Sequence, residues 1–119
     1  MSIVYLAGGF KSGWQNSVIS MHELINPFEK EKNGVWNIEK ICTWDKYAIQ
    51  KSDIVFAYLE KDNPSGIGLS CEVGYARALN KIVILVNEKQ EDKFSFLCGF
   101  ADIVFSNYEE GLDYLNRLL

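Results

Sequence analysis

Ser65-Gly66-Ile67-Gly68-Leu69-Ser70-Cys71-Glu72-Val73-Gly74-Tyr75-Ala76 lies between two apolar runs. Before it, Asp53-Ile54-Val55-Phe56-Ala57-Tyr58-Leu59 reads as a buried strand. After it, Lys81-Ile82-Val83-Ile84-Leu85-Val86 reads the same way. A polar loop, two glycines and a helix-like segment ending near Asn80 join them, which makes a strand-helix-strand unit. In open parallel sheets, chemistry gathers at the carboxyl ends of strands. Glu72 falls in the first or second turn of the helix leaving such an end. Free backbone N–H groups and the helix dipole favour an ionised carboxylate there. Ionised is the state that a nucleophile or general base needs. Charge preference alone also puts glutamates near helix starts, so this stretch leaves both readings open.

Upstream, residues 2–7 form the first expected strand, ended by Gly8-Gly9. Phe10-Lys11-Ser12-Gly13 continues the loop. Adjacent glycines let backbone approach a ligand closely, but the spacing is neither a dinucleotide fingerprint nor a Walker A loop. The pair is otherwise a turn, with Lys11 placed to meet an anion. Trp14 to Ser20 must supply the first crossover and is short for a helix. His22-Glu23-Leu24-Ile25-Asn26-Pro27 reads as a second, edge strand stopped by proline. Glu29 to Asn37 reads as a polar loop containing Gly34, and its Trp36 suits core, interface or a lid over a base. Ile38 to Lys51 is an expected helix with Ile41, Trp44, Ala48 and Tyr47 on its apolar face. Asp45, next to Trp44, is either solvated or turned toward the edge of a site.

Downstream, Asn87 to Lys93 is a charged loop and Phe94 to Cys98 a short apolar segment. Ala101 to Phe105 reads as the last strand. Tyr108 to Leu119 reads as the last helix, with Leu112, Leu115, Leu118 and Leu119 for packing. The order gives one α/β domain over residues 1–119. It is a doubly wound, flavodoxin-like parallel sheet of four or five strands with helices on both faces. A chain of 119 residues supports one core. A net charge of -4 with two arginines supplies no basic stripe for nucleic acid, so a small-molecule partner is expected. No apolar run approaches membrane-spanning length. The amino terminus reads as a core strand rather than a signal peptide. Cys42, Cys71 and Cys98, odd in number and in apolar surroundings, read as reduced core thiols of a cytoplasmic protein. One histidine, His22, and no paired cysteine spacing give no zinc signature, and neither a metal nor a cofactor is expected.

These residues together resemble the nucleoside 2-deoxyribosyltransferase family. Tyr5-Leu6-Ala7-Gly8-Gly9-Phe10 is similar to its first-strand motif, continued by Gln15-Asn16. Asp45, eight positions before Asp53, resembles its first catalytic aspartate, and Gly68 to Ala76 its nucleophile motif. The resemblance covers most of the chain and thins between Ser17 and Ile41. It implies that Glu72 attacks the anomeric carbon of a deoxyribosyl group. It further implies that Asp45 protonates the departing base and that Tyr5 orients Glu72. A second nucleobase then resolves the covalent intermediate with retained stereochemistry. Gly8, Gly9, Phe10, Lys11, Ser12, Trp14, Gln15, Asn16, Asp62, Ser65, Gly66, Gly68 and Ser95 are the implied substrate-binding positions, with Phe10, Trp14 or Trp36 stacking on the base. The partners implied are a nucleoside or nucleotide, a free nucleobase and further copies of the chain, a neighbouring subunit completing each site.

Two positions depart from the family pattern. An aspartate that holds a sugar hydroxyl is expected six residues before the nucleophile, where this chain has Gly66, with Ser65 and Asp62 on the same loop. The family's neighbouring-subunit asparagine is absent around Phe94 and Ser95. Lys11, Ser12 and Ser95 are also similar to the phosphate ligands of a related deoxynucleoside 5′-monophosphate N-glycosidase, which uses water as acceptor. That hydrolase is the alternative, and a non-catalytic nucleotide-binding module is the second.

Overall fold

The computed structural model describes residues 2–31 and 36–118. Its strands are β1 (Ile3–Gly8), β2 (Glu23–Ile25), β3 (Ile54–Leu59), β4 (Ile82–Asn87) and β5 (Ile103–Phe105). They form one parallel sheet in the order β2-β1-β3-β4-β5. The helices are α1 (Phe28–Glu31), α2 (Ile38–Lys51), α3 (Ile67–Ala78), α4 (Ser95–Phe100) and α5 (Tyr108–Arg117). Short 3-10 turns occupy Trp14–Ser17 and Asp92–Phe94. This is the doubly wound, flavodoxin-like α/β arrangement that the order of apolar runs implies.

Alternation along the strands builds two cores. Tyr5, Ala7, Val55, Ala57, Leu59, Val83 and Leu85 face α2, α3 and α4, meeting Ala48, Ile49, Leu69, Val73, Ala76 and Leu97. Val4, Leu6, Ile54, Phe56, Ile84 and Val86 face the other way, against Trp14 and Leu115. Sheet interiors covered on both faces read as continuous apolar runs, which is why β3 and β4 stand out in the sequence. Strand order reverses between β1 and β3, so the loops leaving their carboxyl ends diverge and open a crevice there.

Local departures from the sequence reading have identifiable causes. The first crossover carries no α-helix: the Trp14–Ser17 turn takes its place, and the Trp14 ring packs on Phe56, Tyr58 and Tyr108. Phe28–Glu31, expected to start a loop, is helical because Asn26 Oδ1 accepts from the Phe28 N–H at 3.0 Å and Pro27 presets the first turn. Gly34 and Leu119 lie outside the described residues. On α2, Ala48 and Ile49 are the buried pair and Trp44 packs beside them, whereas Tyr47 is exposed. Phe94 to Cys98 ends a 3-10 turn and begins α4, where Ser95 Oγ donates to Asp92 O at 2.6 Å. The cysteines are free thiols but not core residues: Cys42 and Cys71 are exposed and Cys98 is half-buried. His22 is buried, its Nε2 at 3.0 Å from Leu115 O. Among the described residues no helix is long and apolar enough to cross a membrane.

Candidate active site

The crevice at the β1 and β3 ends is a cavity of about 620 Å³. Its floor is Tyr5, in the middle of β1. Strand alternation points Tyr5 toward α2 and α3, and the residue is wholly buried. Its hydroxyl donates to Glu72 Oε2 at 2.5 Å. On α3, Leu69, Val73 and Ala76 face the sheet, so Glu72, one residue before Val73, flanks that stripe and borders the cavity. Glu72 is the sixth residue of α3, in its second turn, beyond the free N–H groups of the first. Tyr5 is therefore the donor that the fold brings to it.

Asp45 also lines the cavity. It precedes the buried Ala48 and Ile49 by three and four positions, which places it one turn along the same face of α2. The spacing that left Asp45 open in the sequence is thus decided by α2 packing beside α3. Burial raises the Asp45 carboxyl above its ordinary value, and hydrogen bonds with Tyr5 and Glu72 partly offset the rise. Asp45 Oδ1 is buried without a hydrogen-bond partner among the described residues, which further disfavours the charged form. Burial, then the charges of Glu72 and Asp45, push the Tyr5 phenol far above its usual range. Tyr5 is consequently a fixed hydrogen-bond donor and not a base.

The structure divides the remaining sequence-derived positions. Gly8, Gly9, Phe10, Ser65, Gly66 and Gly68 line the cavity together with the three central residues. Lys11, Ser12, Trp14, Gln15, Asn16, Asp62 and Ser95 do not. Trp14 is 7% exposed on the opposite face of the sheet, which removes it as a base-stacking ring. Gln15 is buried and supports the loop: its Nε2 donates to Gly8 O at 3.3 Å and Gly9 O at 3.1 Å. Ser12 Oγ accepts from the Trp14 N–H, and Asn16 Oδ1 accepts from Asn26 Nδ2. Lys11, Asp62 and Ser95 are exposed. Trp36 lies beside Trp44 on a separate shallow groove of α2. Of the stacking candidates only Phe10 reaches the cavity, its ring edge-on to Phe28.

Sequence reading missed several lining residues. Ile38 and Ile41 at the start of α2, Cys42, Lys46, Cys71 and Tyr75 all border the cavity. Ile41, Cys42 and Tyr75 lie about one helical turn from Asp45 or Glu72 and Ile38 about two, so the helical period would have found these four once those two were fixed, whereas Lys46 and Cys71 are their chain neighbours. Asn63 was also missed. The Ser65 N–H donates to its Oδ1 at 2.9 Å, an Asx turn that the Asn63-Pro64-Ser65 run signals. Among the described residues no three His, Cys, Asp or Glu side chains are grouped to hold a metal ion.

A buried tyrosine donor, a half-buried Glu72 and Asp45, whose carboxyl burial raises, meet on one cavity. The family described as nucleoside 2-deoxyribosyltransferase like matches residues 2–90. No curated protein sequence is significantly similar to the chain. Among solved structures, a 2-deoxyribosyltransferase from Bacillus psychrosaccharolyticus superposes with a TM-score of 0.74 at 20% identity, covering 95% of this chain and 92% of its own. A Leishmania mexicana 2-deoxyribosyltransferase gives 0.71 at 19% identity over 99% of both chains. A Clostridium botulinum CMP N-glycosidase gives 0.67 at 19% identity, covering 97% of this chain and 98% of its own.

Proposed function

The chain belongs to the nucleoside 2-deoxyribosyltransferase-like family, and from that premise we propose that it transfers a 2-deoxyribosyl group between nucleobases. The observation that carries the proposal is the hydrogen bond from Tyr5 to Glu72 in the cavity that Asp45 shares. Glu72 attacks the anomeric carbon and the N-glycosidic bond breaks, its electron pair leaving with the base. Asp45 gives that base a proton, because an expelled purine or pyrimidine anion is a poor leaving group. The hydrogen bond from Tyr5 fixes the Glu72 carboxylate and so orients it toward the sugar. An incoming base then attacks the glycosyl-glutamate ester, Asp45 recovers a proton, and two inversions give net retention. The apolar rim of Ile38, Ile41 and Phe10 suits a base and keeps water from the ester.

The test is partitioning of a labelled deoxyribosyl group as acceptor base is increased. Transfer moves label into a new nucleoside until saturation. Label found only in free sugar, or only from a 5′-phosphorylated donor, favours the second reading, a deoxynucleoside 5′-monophosphate N-glycosidase. One observation supports that reading: Lys46 is a cation on the cavity wall. Affinity without turnover would favour a binding module. The proposal includes self-association, supported by Phe96 and Phe100, which are 85% and 55% exposed on α4. It also includes a reducing, cytoplasmic setting, in keeping with exposed free thiols at Cys42 and Cys71.

A further inference from the structure

We infer that Asn63 sets sugar specificity in this cavity, its Nδ2 donating to an oxygen acceptor on the ribosyl unit of the bound nucleoside or nucleotide. The inference rests on the glycosidic reading above and deepens it. Asn63 is 9% exposed and lines the cavity. Its backbone N–H donates to Glu60 O at 3.0 Å. Its Oδ1 accepts from the Ser65 N–H at 2.9 Å, which fixes which end of the amide is which. The Nδ2 end is thereby presented, and it donates to no acceptor among the described residues. Nδ2 is not itself buried: it opens to the cavity, where a ligand oxygen can take the place of water.

The neighbouring glycines preserve this arrangement. A Cβ on Gly9 would come within 3.1 Å of Asn63 Nδ2, crowding the donor. Gly66 has φ +90°, and a Cβ there would lie 2.8 Å from the Phe94 ring, so this backbone excludes a side chain at that position. Ser65 Oγ is already an acceptor for the Ile67 N–H, and Ser65 is exposed to water. Asn63 is left as the amide donor of the loop after β3. A carboxylate there would accept from a sugar hydroxyl and repel a phosphate. The neutral amide instead donates to either a hydroxyl or a phosphoester oxygen on the sugar.

Asn63→Asp tests this directly, since it keeps an acceptor for the Ser65 N–H and replaces the donor with an anionic oxygen. Asn63→Ala removes the donor together with the acceptor for the Ser65 N–H, so its melting temperature is measured beside its binding. Turnover and calorimetric binding are measured with 2′-deoxynucleosides, their 3′-deoxy and 5′-deoxy analogues, and the 5′-monophosphates. The expected result is a weakening of about tenfold in KM or Kd of Asn63→Ala for ligands that carry the contacted oxygen, shared by Asn63→Asp where that oxygen is a phosphoester and spared where it is a hydroxyl from which the carboxylate accepts. Wild type and variant should bind the analogue lacking that oxygen alike, and Asn63→Asp, which keeps the acceptor for the Ser65 N–H, should melt like wild type. A larger loss confined to monophosphates identifies the phosphoester oxygen, and a loss confined to one deoxy pair identifies a hydroxyl. Unchanged binding by Asn63→Ala, or a uniform loss across every analogue, overturns the assignment while leaving the glycosidic reading intact. Wild-type binding without turnover overturns the glycosidic reading but not Asn63. Wild-type protein that neither binds nor converts any of these ligands overturns both.

Discussion

Tyr5 and Glu72 stand 67 residues apart in the chain, yet the phenol of one donates to the carboxylate of the other at 2.5 Å. The contact exists because β1 and α3 are held in fixed register by β3 between them. Val55 pairs with Tyr5 across the sheet, and Leu69, Val73 and Ala76 seat α3 on the same face. The Tyr5–Glu72 pairing is thus a consequence of core packing, and its removal can be separated from loss of fold.

Tyr5→Phe makes that separation. The ring remains in the core and only the hydroxyl is lost. With Glu72 as the proposed nucleophile, we expect kcat to fall by about tenfold or more on loss of a charge-assisted hydrogen bond of roughly 1.5–3 kcal/mol. KM should change little. Steady-state kinetics with parallel thermal melting checks this, and an undiminished kcat would remove Tyr5 from the machinery.

Asp45→Asn separates proton donation from positioning. It should slow cleavage of natural nucleosides by about 10²-fold or more, the usual contribution of a general acid. With a sugar donor whose leaving group needs no proton, the loss should nearly vanish. Equal losses on both donors would make Asp45 a residue that only positions the sugar or base.

The same substitution carries a stability signature. Burial raises the folded-state pKa of Asp45 above its unfolded value. The native state therefore binds this proton more tightly than the unfolded chain does. The resulting stabilisation is fully present below the unfolded value of about 4 and is lost as pH rises through the raised folded value. The amide that replaces the carboxyl never ionises, so Asp45→Asn should melt higher than wild type near neutral pH, with the gap closing in acid. Melting curves across that range decide it, and a variant less stable at neutral pH would contradict it.

Exposed Phe96 projects from α4 while its neighbour Leu97 is buried, so the helix seats one side and leaves the other apolar and open. In a self-associating protein, Phe96→Glu should dissociate the assembly without unfolding the subunit. Light scattering follows this, and a wild-type mass of 13.6 kDa at working concentration would count against association.

What was legible in the sequence follows from what determines it locally. Strands β3 and β4 and helices α2 and α3 announce themselves because their apolar period is set by burial. Position alone left Glu72 and Asp45 open, and the family resemblance singled out both. For Asp45 only the packing of α2 against α3 decides whether its face of the helix meets water or the cavity. The resemblance offered Trp14 as a stacking ring, but the crossover turn after β1 places that ring behind the sheet. Asn63 escaped notice because an Asx turn resembles any polar loop until its free amide end is located.

Gly66 gives the sharpest test of how this loop differs from the family pattern. By sequence pattern alone, Gly66→Asp would return an expected sugar ligand. The backbone argues otherwise. At φ +90° an L side chain is strained, and its Cβ would stand 2.8 Å from Phe94 Cε1 and 3.1 Å from Leu59 Cδ1. Leu59 is fully buried and Phe94 nearly so, so neither yields without disturbing the seat of α3. Strain of roughly 1–3 kcal/mol, with overpacking of similar size, should lower the melting temperature by several degrees. Because Gly66 caps α3, the displacement should also reach Glu72 and reduce turnover rather than improve it. Gly66→Ala carries the strain without the charge and should reproduce most of the stability loss. If Gly66→Asp instead melts like wild type and tightens nucleoside binding, the loop can accommodate a carboxylate. Asn63 would then not be its principal means of reading the sugar.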